Sequence, residues 1–196
     1  AKMRIPFVVY DGYFESSKGI CNLTIDNFDG GCQVGAYLKE MGHRRALLLS
    51  DNDICVDAER MAGFRAGFSD GETDFLEVPM NREGRRCLYQ DNMERIRACT
   101  AAFAVSDVYA AEFIHFLLEC GISVPGEMSV VGFDDNALCE SCFPRLTTVG
   151  QDAGERARMA VRALRRLRDG SGEPAEEVLS VKLVMRDSVK NVALSP

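Results

Sequence analysis

Short apolar runs alternate with stretches whose apolar residues recur every three or four positions. Ile5–Tyr10 predicts a strand that turns at Asp11-Gly12, and Leu23–Asp26 predicts a short extended piece. Asn27-Phe28-Asp29 opens a helix with Val34, Tyr37, Leu38 and Met41 on one face, stopped by Gly42. Ala46–Leu49 reads as a strand with Ser50-Asp51 at its carboxyl end. Asp57 can cap a helix to about Phe68, with Met61, Phe64 and Phe68 on one side. The next strand is Phe75–Val78, followed by a charged helix over residues 82–98. Ala101–Val105 predicts a strand ending in Ser106-Asp107, and a helix from there to Cys120 shows Phe113, Ile114, Leu117 and Leu118 before Gly121. Met128–Phe133 is a further apolar run, and it stops at two carboxylates, Asp134 and Asp135. Four such alternations predict an α/β fold with a doubly wound parallel sheet. After Leu146–Val149 the pattern changes to a long helix, Asp152–Arg168, ended by Asp169-Gly170-Ser171-Gly172, and a final strand, Val178–Met185.

Composition narrows the class. The chain has 196 residues, 46% hydrophobic and 27% charged, with a net charge of −7 and a pI near 5.0. That length suits one large domain or two modest lobes. Phosphate affinity comes from clustered Lys and Arg, so the acidic balance argues against a broad nucleic-acid surface within these residues. No run approaches the roughly 20 apolar residues that a membrane helix needs. No signal peptide is visible; Lys2–Tyr10 runs straight into a strand as the interior of a longer protein would, and Ala1 reads as a cloning remnant. The eight cysteines are scattered over helices and strands, which suits reduced thiols in a cytosolic protein. Cys139-Glu-Ser-Cys142 is a lone C-x-x-C without two further ligands at matching spacing, so no metal is expected. The arginines of 152–168 interleave with Ala160, Val161, Leu164 and Leu167, the pattern of an amphipathic helix lying on a sheet with a solvated basic face.

Catalytic motifs are missing. No glycine-rich phosphate loop follows a strand, and no G-x-S-x-G elbow is present. His43 falls in a charged turn, and His115 falls in an apolar helix where packing would satisfy it. The chain therefore reads as a binding protein without cofactor rather than an enzyme. In an open parallel sheet, ligands gather beyond the carboxyl ends of the strands. Strand ends and helix starts would bring Asp11, Ser50, Arg60, Ser106, Asp107 and Asp134 to that side. Carboxylates accept from hydroxyls and an arginine fork donates, a set suited to a polyhydroxylated or heterocyclic ligand. Each Asp could instead cap a helix, and Asp107 reads that way. Asp134 is harder to explain as a cap, because Asp135 can do the local turn work. Arg60, read in the first turn of its helix, opposes the macrodipole and needs another reason to be there.

Thr24–Gly31, Gly42–Arg45, Ala58–Phe64, Val124–Asp135, Leu146–Val149 with Gln151, and Met185–Ser188 together resemble the effector-binding core of lactose- and galactose-repressor-type (LacI/GalR) transcription regulators. That resemblance implies a periplasmic-binding-protein-like type I fold with the effector in a cleft between two lobes joined by three crossovers, near 24–27, 147–151 and 174–178. One lobe would be complete (27–146 and 178–190) and the other partial (1–24 and 150–175), the chain being truncated at its N-terminal side. It also implies a ligand set of Asp11, Arg60, Ser106, Asp107, Asp134 and Gln151, with Arg60 as the gripping arginine, Asp134 as the hydroxyl-binding aspartate and Ser106 where many members have Asn. The implied partners are a carbohydrate or purine effector, operator DNA through a helix-turn-helix absent from this chain, and a second copy in a homodimer that uses Leu138–Phe143. Location in the cytoplasm, away from any membrane, follows from the same likeness. Two departures stand out: Pro79-Met80-Asn81 follows a strand where members often place a stacking aromatic, and Ala153 stands where some carry a bulky ring. Truncation would uncover Ile5, Phe7, Val8, Ala160 and Leu164. A periplasmic sugar-binding protein of a transport system shares the fold and is the alternative, which the eight cysteines argue against.

Overall fold

The computed structural model describes residues 6–11, 20–51, 55–170 and 175–193. In chain order the elements are β1 (Phe7–Tyr10), β2 (Ile20–Ile25), α1 (Asn27–Glu40), β3 (Arg45–Ser50), α2 (Cys55–Gly67), β4 (Glu72–Glu77), α3 (Arg82–Asp91), α4 (Met93–Arg97), β5 (Ala101–Ala104), α5 (Asp107–Glu119), β6 (Ser129–Val131), α6 (Leu138–Ser141), β7 (Thr148–Gly150), α7 (Ala153–Arg168), β8 (Ala175–Leu179) and β9 (Lys182–Val184). They fall into two compact units, one made of Ala1–Asp26 with Gln151–Val181, the other of Asn27–Gly150 with Lys182–Pro196.

The larger unit is built on a parallel sheet in the order β4-β3-β5-β6. Its central strands are apolar on both faces: Ala46 to Leu49 and Ala101 to Ala104 are fully buried. That is what a parallel sheet covered by helices on each side requires. Phe64 stacks on Phe103 at 5.3 Å between ring centroids on one face, while Tyr89, Phe113 and Phe116 cluster on the other. Helices α1 and α2 touch backbone to backbone. A Cβ on Gly31 would lie 2.0 Å from the Arg60 carbonyl oxygen, and one on Gly63 1.9 Å from that of Phe28. Only residues without a side chain allow this approach. The small antiparallel pair β7/β9 belongs to the same unit and joins β6 through bridges at Val131–Thr147 and Asp134–Gly150.

The smaller unit has the parallel order β1-β2-β8, with α7 packed against β1 and β2. Cys21, Ala163 and Leu167 form its buried cluster, with Val8 against it. Asp152 caps α7, its carboxylate accepting from the Glu155 N–H at 2.8 Å. As the arginine spacing predicts, Arg158, Arg162, Arg165, Arg166 and Arg168 lie on the exposed face.

Several expectations need correction. The charged stretch 82–98 is two helices, because Asn92 ends the first with its side-chain amide donating to the Leu88 carbonyl at 2.8 Å. The run Val178–Met185 is not one strand: Val178 and Leu179 pair with β2, and Lys182–Val184 pair antiparallel with β7. Neither glycine nor proline punctuates the run, and the lone Ser180 at the switch is too weak a signal to reveal the change of partner. Ala160 is buried and Val8 is packed, against the expectation that both are uncovered; Phe7 and Leu164 are exposed, and Ile5 lies outside the described residues, as do Gly12 and Ser171-Gly172.

Candidate functional site

The strand order locates a site before any side chain is considered. From β3 the chain moves outward to β4, then returns to β5 on the other side of β3 and continues to β6. The carboxyl ends of β3 and β5 therefore flank the switch point at which open α/β sheets bind ligands. Ser50 and Asp51 follow the first of these ends, and Val105, Ser106 and Asp107 follow the second.

Arg60 reaches this point from the second turn of α2, not the first. It is 8% exposed and held from several sides. Its Nε donates to Asn27 Oδ1 at 2.9 Å and its Nη1 to the Val105 carbonyl at 2.6 Å. The guanidinium lies over the Phe133 ring, 3.8 Å from the centroid, and its Nη2 is 3.6 Å from Asp134 Oδ1. A buried cation is tolerable only when paired and hydrogen-bonded, and this web supplies both. In the second turn the helix dipole hardly opposes it; what holds it there is the end of β5 and the residues after β6.

Asp134 has φ 118° and Asp135 φ 55°, so the chain passes through two positive-φ residues directly after Phe133. A non-glycine residue at φ 118° is strained and persists only where its surroundings enforce it. Here the Asp134 N–H donates to the Val149 carbonyl at 2.9 Å, fixing the backbone while the side chain stays 34% exposed. Asp135 turns away to pair with Arg186 Nη2 at 2.7 Å. The two adjacent carboxylates therefore have different tasks, one structural and one presented to solvent.

Ser106 and Asp107 exchange the tasks that their sequence suggests. Ser106 is the N-cap of α5, accepting from the Tyr109 N–H at 3.3 Å. Asp107 does not cap. Fully buried in the first turn, it accepts from Thr148 Oγ1 at 2.6 Å and from the Asn136 N–H at 3.0 Å, tying α5 to β7 and to the segment after β6. Burial pushes its carboxyl up, against the pull of those donors. Asp57 likewise lies inside α2 rather than at its cap. It accepts from Ser50 Oγ at 2.9 Å, and burial together with a hydrogen bond to Asp51 pushes its carboxyl up to about 6. Asp51 also accepts from the Tyr109 hydroxyl at 2.8 Å.

The smaller unit carries its own polar group. Asp11, at φ 49°, pairs with Arg156 Nη2 at 2.5 Å. Arg156 lies 4.8 Å from the Tyr10 ring centroid and donates through Nη1 to Gln151 Oε1 at 2.8 Å. Asp11 and Gln151 are thus brought together through one arginine, while Arg60, Ser106, Asp107 and Asp134 assemble in the larger unit.

The remaining polar motifs lead elsewhere. His43, directly after the turn that ends α1, is buried; its Nδ1 is 2.9 Å from Thr100 Oγ1, and desolvation holds its pKa down. His115 is exposed, paired with Glu119 at 3.0 Å, rather than packed in the apolar face of α5. Cys139 and Cys142 are free thiols, raised by burial. Among the described residues no group of three or more His, Cys, Asp or Glu could hold a metal ion, and no helix is long and apolar enough to cross a membrane.

Comparison with known proteins decides the family. The periplasmic binding protein-like domain matches residues 36–189. The chain belongs to this family. Curated relatives include the transcriptional regulator CelR of Thermobifida fusca, 31% identical over 84% of this chain and 50% of its own length. The transcriptional repressor PurR of Vibrio parahaemolyticus is 30% identical over 96% of this chain and 58% of its own. The chain spans about half the length of such relatives, all named as helix-turn-helix-type regulators. Among solved structures, a LacI family regulator from Enterococcus faecium with bound ribose superimposes with TM-score 0.84 at 25% identity, over 95% of this chain and 71% of that one. A CelR–cellobiose complex gives TM-score 0.78 at 26% identity, over 93% and 58%.

Within this periplasmic binding protein-like domain, sequence reasoning missed Asn27, Phe133, Asp57 and Tyr109 as parts of the rim. Phe133 ends an apolar run and reads as core, which it also is. Asn27 reads as a helix start. What could have pointed to both is the need of Arg60, on a largely buried helix, for an acceptor and a ring face.

Proposed function

We propose that this chain is the metabolite-sensing part of a DNA-binding transcriptional regulator of the LacI type, taking a sugar or a purine as effector. The observation that supports this most is the Arg60–Asp134 pair at the strand-order switch point: a buried guanidinium beside a half-open carboxylate. Ligand hydroxyls or ring N–H groups would donate to Asp134, while Arg60 would donate to ligand oxygens or ring nitrogens. Ser106 and Asp107 hold the end of β5 in place for this. Relatives solved with bound ribose and with cellobiose support the sugar class, and the purine alternative is carried by the sequence resemblance.

In this reading the larger unit is the second lobe and the smaller unit part of the first. Operator contact belongs to a helix-turn-helix of the parent regulator, which works in the cytoplasm as a homodimer. The effector changes operator affinity by binding two conformations of the regulator unequally. Calorimetric titration with ribose, cellobiose and guanine tests the site. One class should bind saturably, and Asp134→Asn should weaken it about ten- to hundredfold, the value of a hydrogen bond to a charged group. An affinity unchanged in Asp134→Asn would place the pocket elsewhere.

A further inference from the structure

The turn that carries Asp134 is sewn to its surroundings on both sides of residue 135. The Gly132 N–H donates to the Thr147 carbonyl and the Asp134 N–H to that of Val149, each at 2.9 Å. Past the turn, the Asn136 N–H donates to Asp107 at 3.0 Å. Between these ties lie the two positive-φ residues, Asp134 and Asp135, whose conformation lasts only while the surroundings enforce it. At that point the enforcing contact is a side chain, Arg186.

Arg186 lies two residues past the end of β9, and its side chain is 10% exposed. All three guanidinium nitrogens donate: Nη2 to Asp135 Oδ1 at 2.7 Å, Nη1 to the Leu146 carbonyl at 3.0 Å and Nε to Glu140 Oε1 at 2.9 Å. Its own N–H donates to Thr147 Oγ1 at 2.9 Å. The cation is therefore fixed by residues 146 and 147, the latter being the anchor of Gly132, before it reaches Asp135. The carboxylate it meets has little room to retreat, since a Cβ on Gly150 would lie 3.2 Å from Asp135 Oδ2. A charge-assisted bond from a fixed donor to a confined acceptor sets position as well as energy. The backbone of residue 135 is thereby held, and with it the direction in which the preceding side chain leaves the chain.

We propose that Arg186 is a positioning residue of the effector site: by gripping Asp135 it keeps Asp134 beside Arg60 and open to ligand. Arg186 acts through its neighbour and makes no contact with the effector. The inference rests on the reading of Asp134 as a ligand-binding carboxylate.

Hydrogen exchange and calorimetry together test it. In Arg186→Met the amides of Asp134 and Asn136 should exchange about tenfold faster, as the turn loses its middle tie. Affinity for whichever of ribose, cellobiose and guanine the parent chain binds should fall about five- to tenfold. Asp135→Asn, a milder change for the fold, should give a similar loss. Glu140→Gln should cost under about twofold, because that carboxylate is 59% exposed. In an Asp134→Asn background, Arg186→Met should cost no further affinity, whereas a general loosening of the fold would lower affinity in both backgrounds. The proposal is overturned by unchanged exchange at Asp134 and Asn136, by affinity retained in Arg186→Met or Asp135→Asn, or by an equal fall with and without the Asp134 carboxylate. If Asp134→Asn itself leaves affinity intact, or none of the three ligands binds, the ligand-site reading fails and the role of Arg186 falls with it.

Discussion

The two units use one local device in two settings. In each, a strand or its continuation delivers an aromatic residue followed by an aspartate at positive φ, and a helical arginine stacks on the ring and pairs with the carboxylate. In the larger unit these are Phe133, Asp134 and Arg60; in the smaller they are Tyr10, Asp11 and Arg156. What differs is the depth. Phe133 is fully buried and Arg60 is bonded to Asn27 and to the end of β5, whereas Tyr10 is 46% exposed and the Asp11 side chain 41%. The same pattern is therefore part of the framework in one place and, although Arg156 is itself 11% exposed, half-open through its ring and carboxylate in the other. The comparison teaches that the chemistry of a motif does not set its energetic weight; its surroundings do.

Substitutions should separate the two. Arg60→Met removes the hydrogen bonds to the Val105 carbonyl and to Asn27 and the cation beside Asp134, and should cost about 2–3 kcal/mol in urea denaturation, below the full value of a broken buried pair because Asp134 is partly solvated. It should also remove effector binding. A loss under about 1 kcal/mol would mean that Arg60 is no more embedded than its counterpart.

Next in size is a pH effect confined to the larger unit. The carboxyl of Asp57 is pushed up to about 6, above its ordinary value, so the folded state holds a proton there more tightly than the unfolded chain. Stability from this group is then present at low pH and lost as pH rises between about 4 and 6. Asp57→Asn keeps an acceptor for Ser50 and removes the charge. It should be more stable than the parent by about 1–2 kcal/mol at pH 7, with the gain vanishing near pH 4. A gain independent of pH would sink this account.

The smallest effect belongs to the smaller unit. Arg156→Met removes a pair whose carboxylate is 41% exposed and which lacks the framework bonds of Arg60, and about 0.5–1 kcal/mol is expected by thermal denaturation. A cost equal to that of Arg60→Met would erase the distinction.

Much of this was legible in the sequence. Alternating apolar runs and amphipathic helices, three of the runs ending in a polar pair (Ser50-Asp51, Ser106-Asp107 and Asp134-Asp135), announce a parallel sheet with a functional edge, because strands buried on both faces admit little else. Arg60 stood out because its position opposed the helix dipole, and Asp134 because its neighbour could do the turn work. What pattern could not supply was partnership. Ser106 and Asp107 are both good capping residues, and only the distance to Thr148 and Asn136 decides which one caps. His115 reads as packed but is exposed, and the burial of His43 could not be read at all, since an apolar helix or a flanking charge run does not say which side faces inward. The break at Asn92 and the switch of sheets after Leu179 likewise depend on tertiary hydrogen bonds that leave no periodicity.

The contact of Gly31 with the backbone of residue 60 carries one last implication. The guanidinium can extend only as far as its own main chain permits, and that main chain rests against a hydrogen atom where any other residue would carry carbon. A methyl group added at position 31 would lie 2.0 Å from the residue 60 carbonyl oxygen and would displace the anchor from behind, by about an ångström or more. Ligand sensing would be blunted by a change that touches neither ligand nor any charged group.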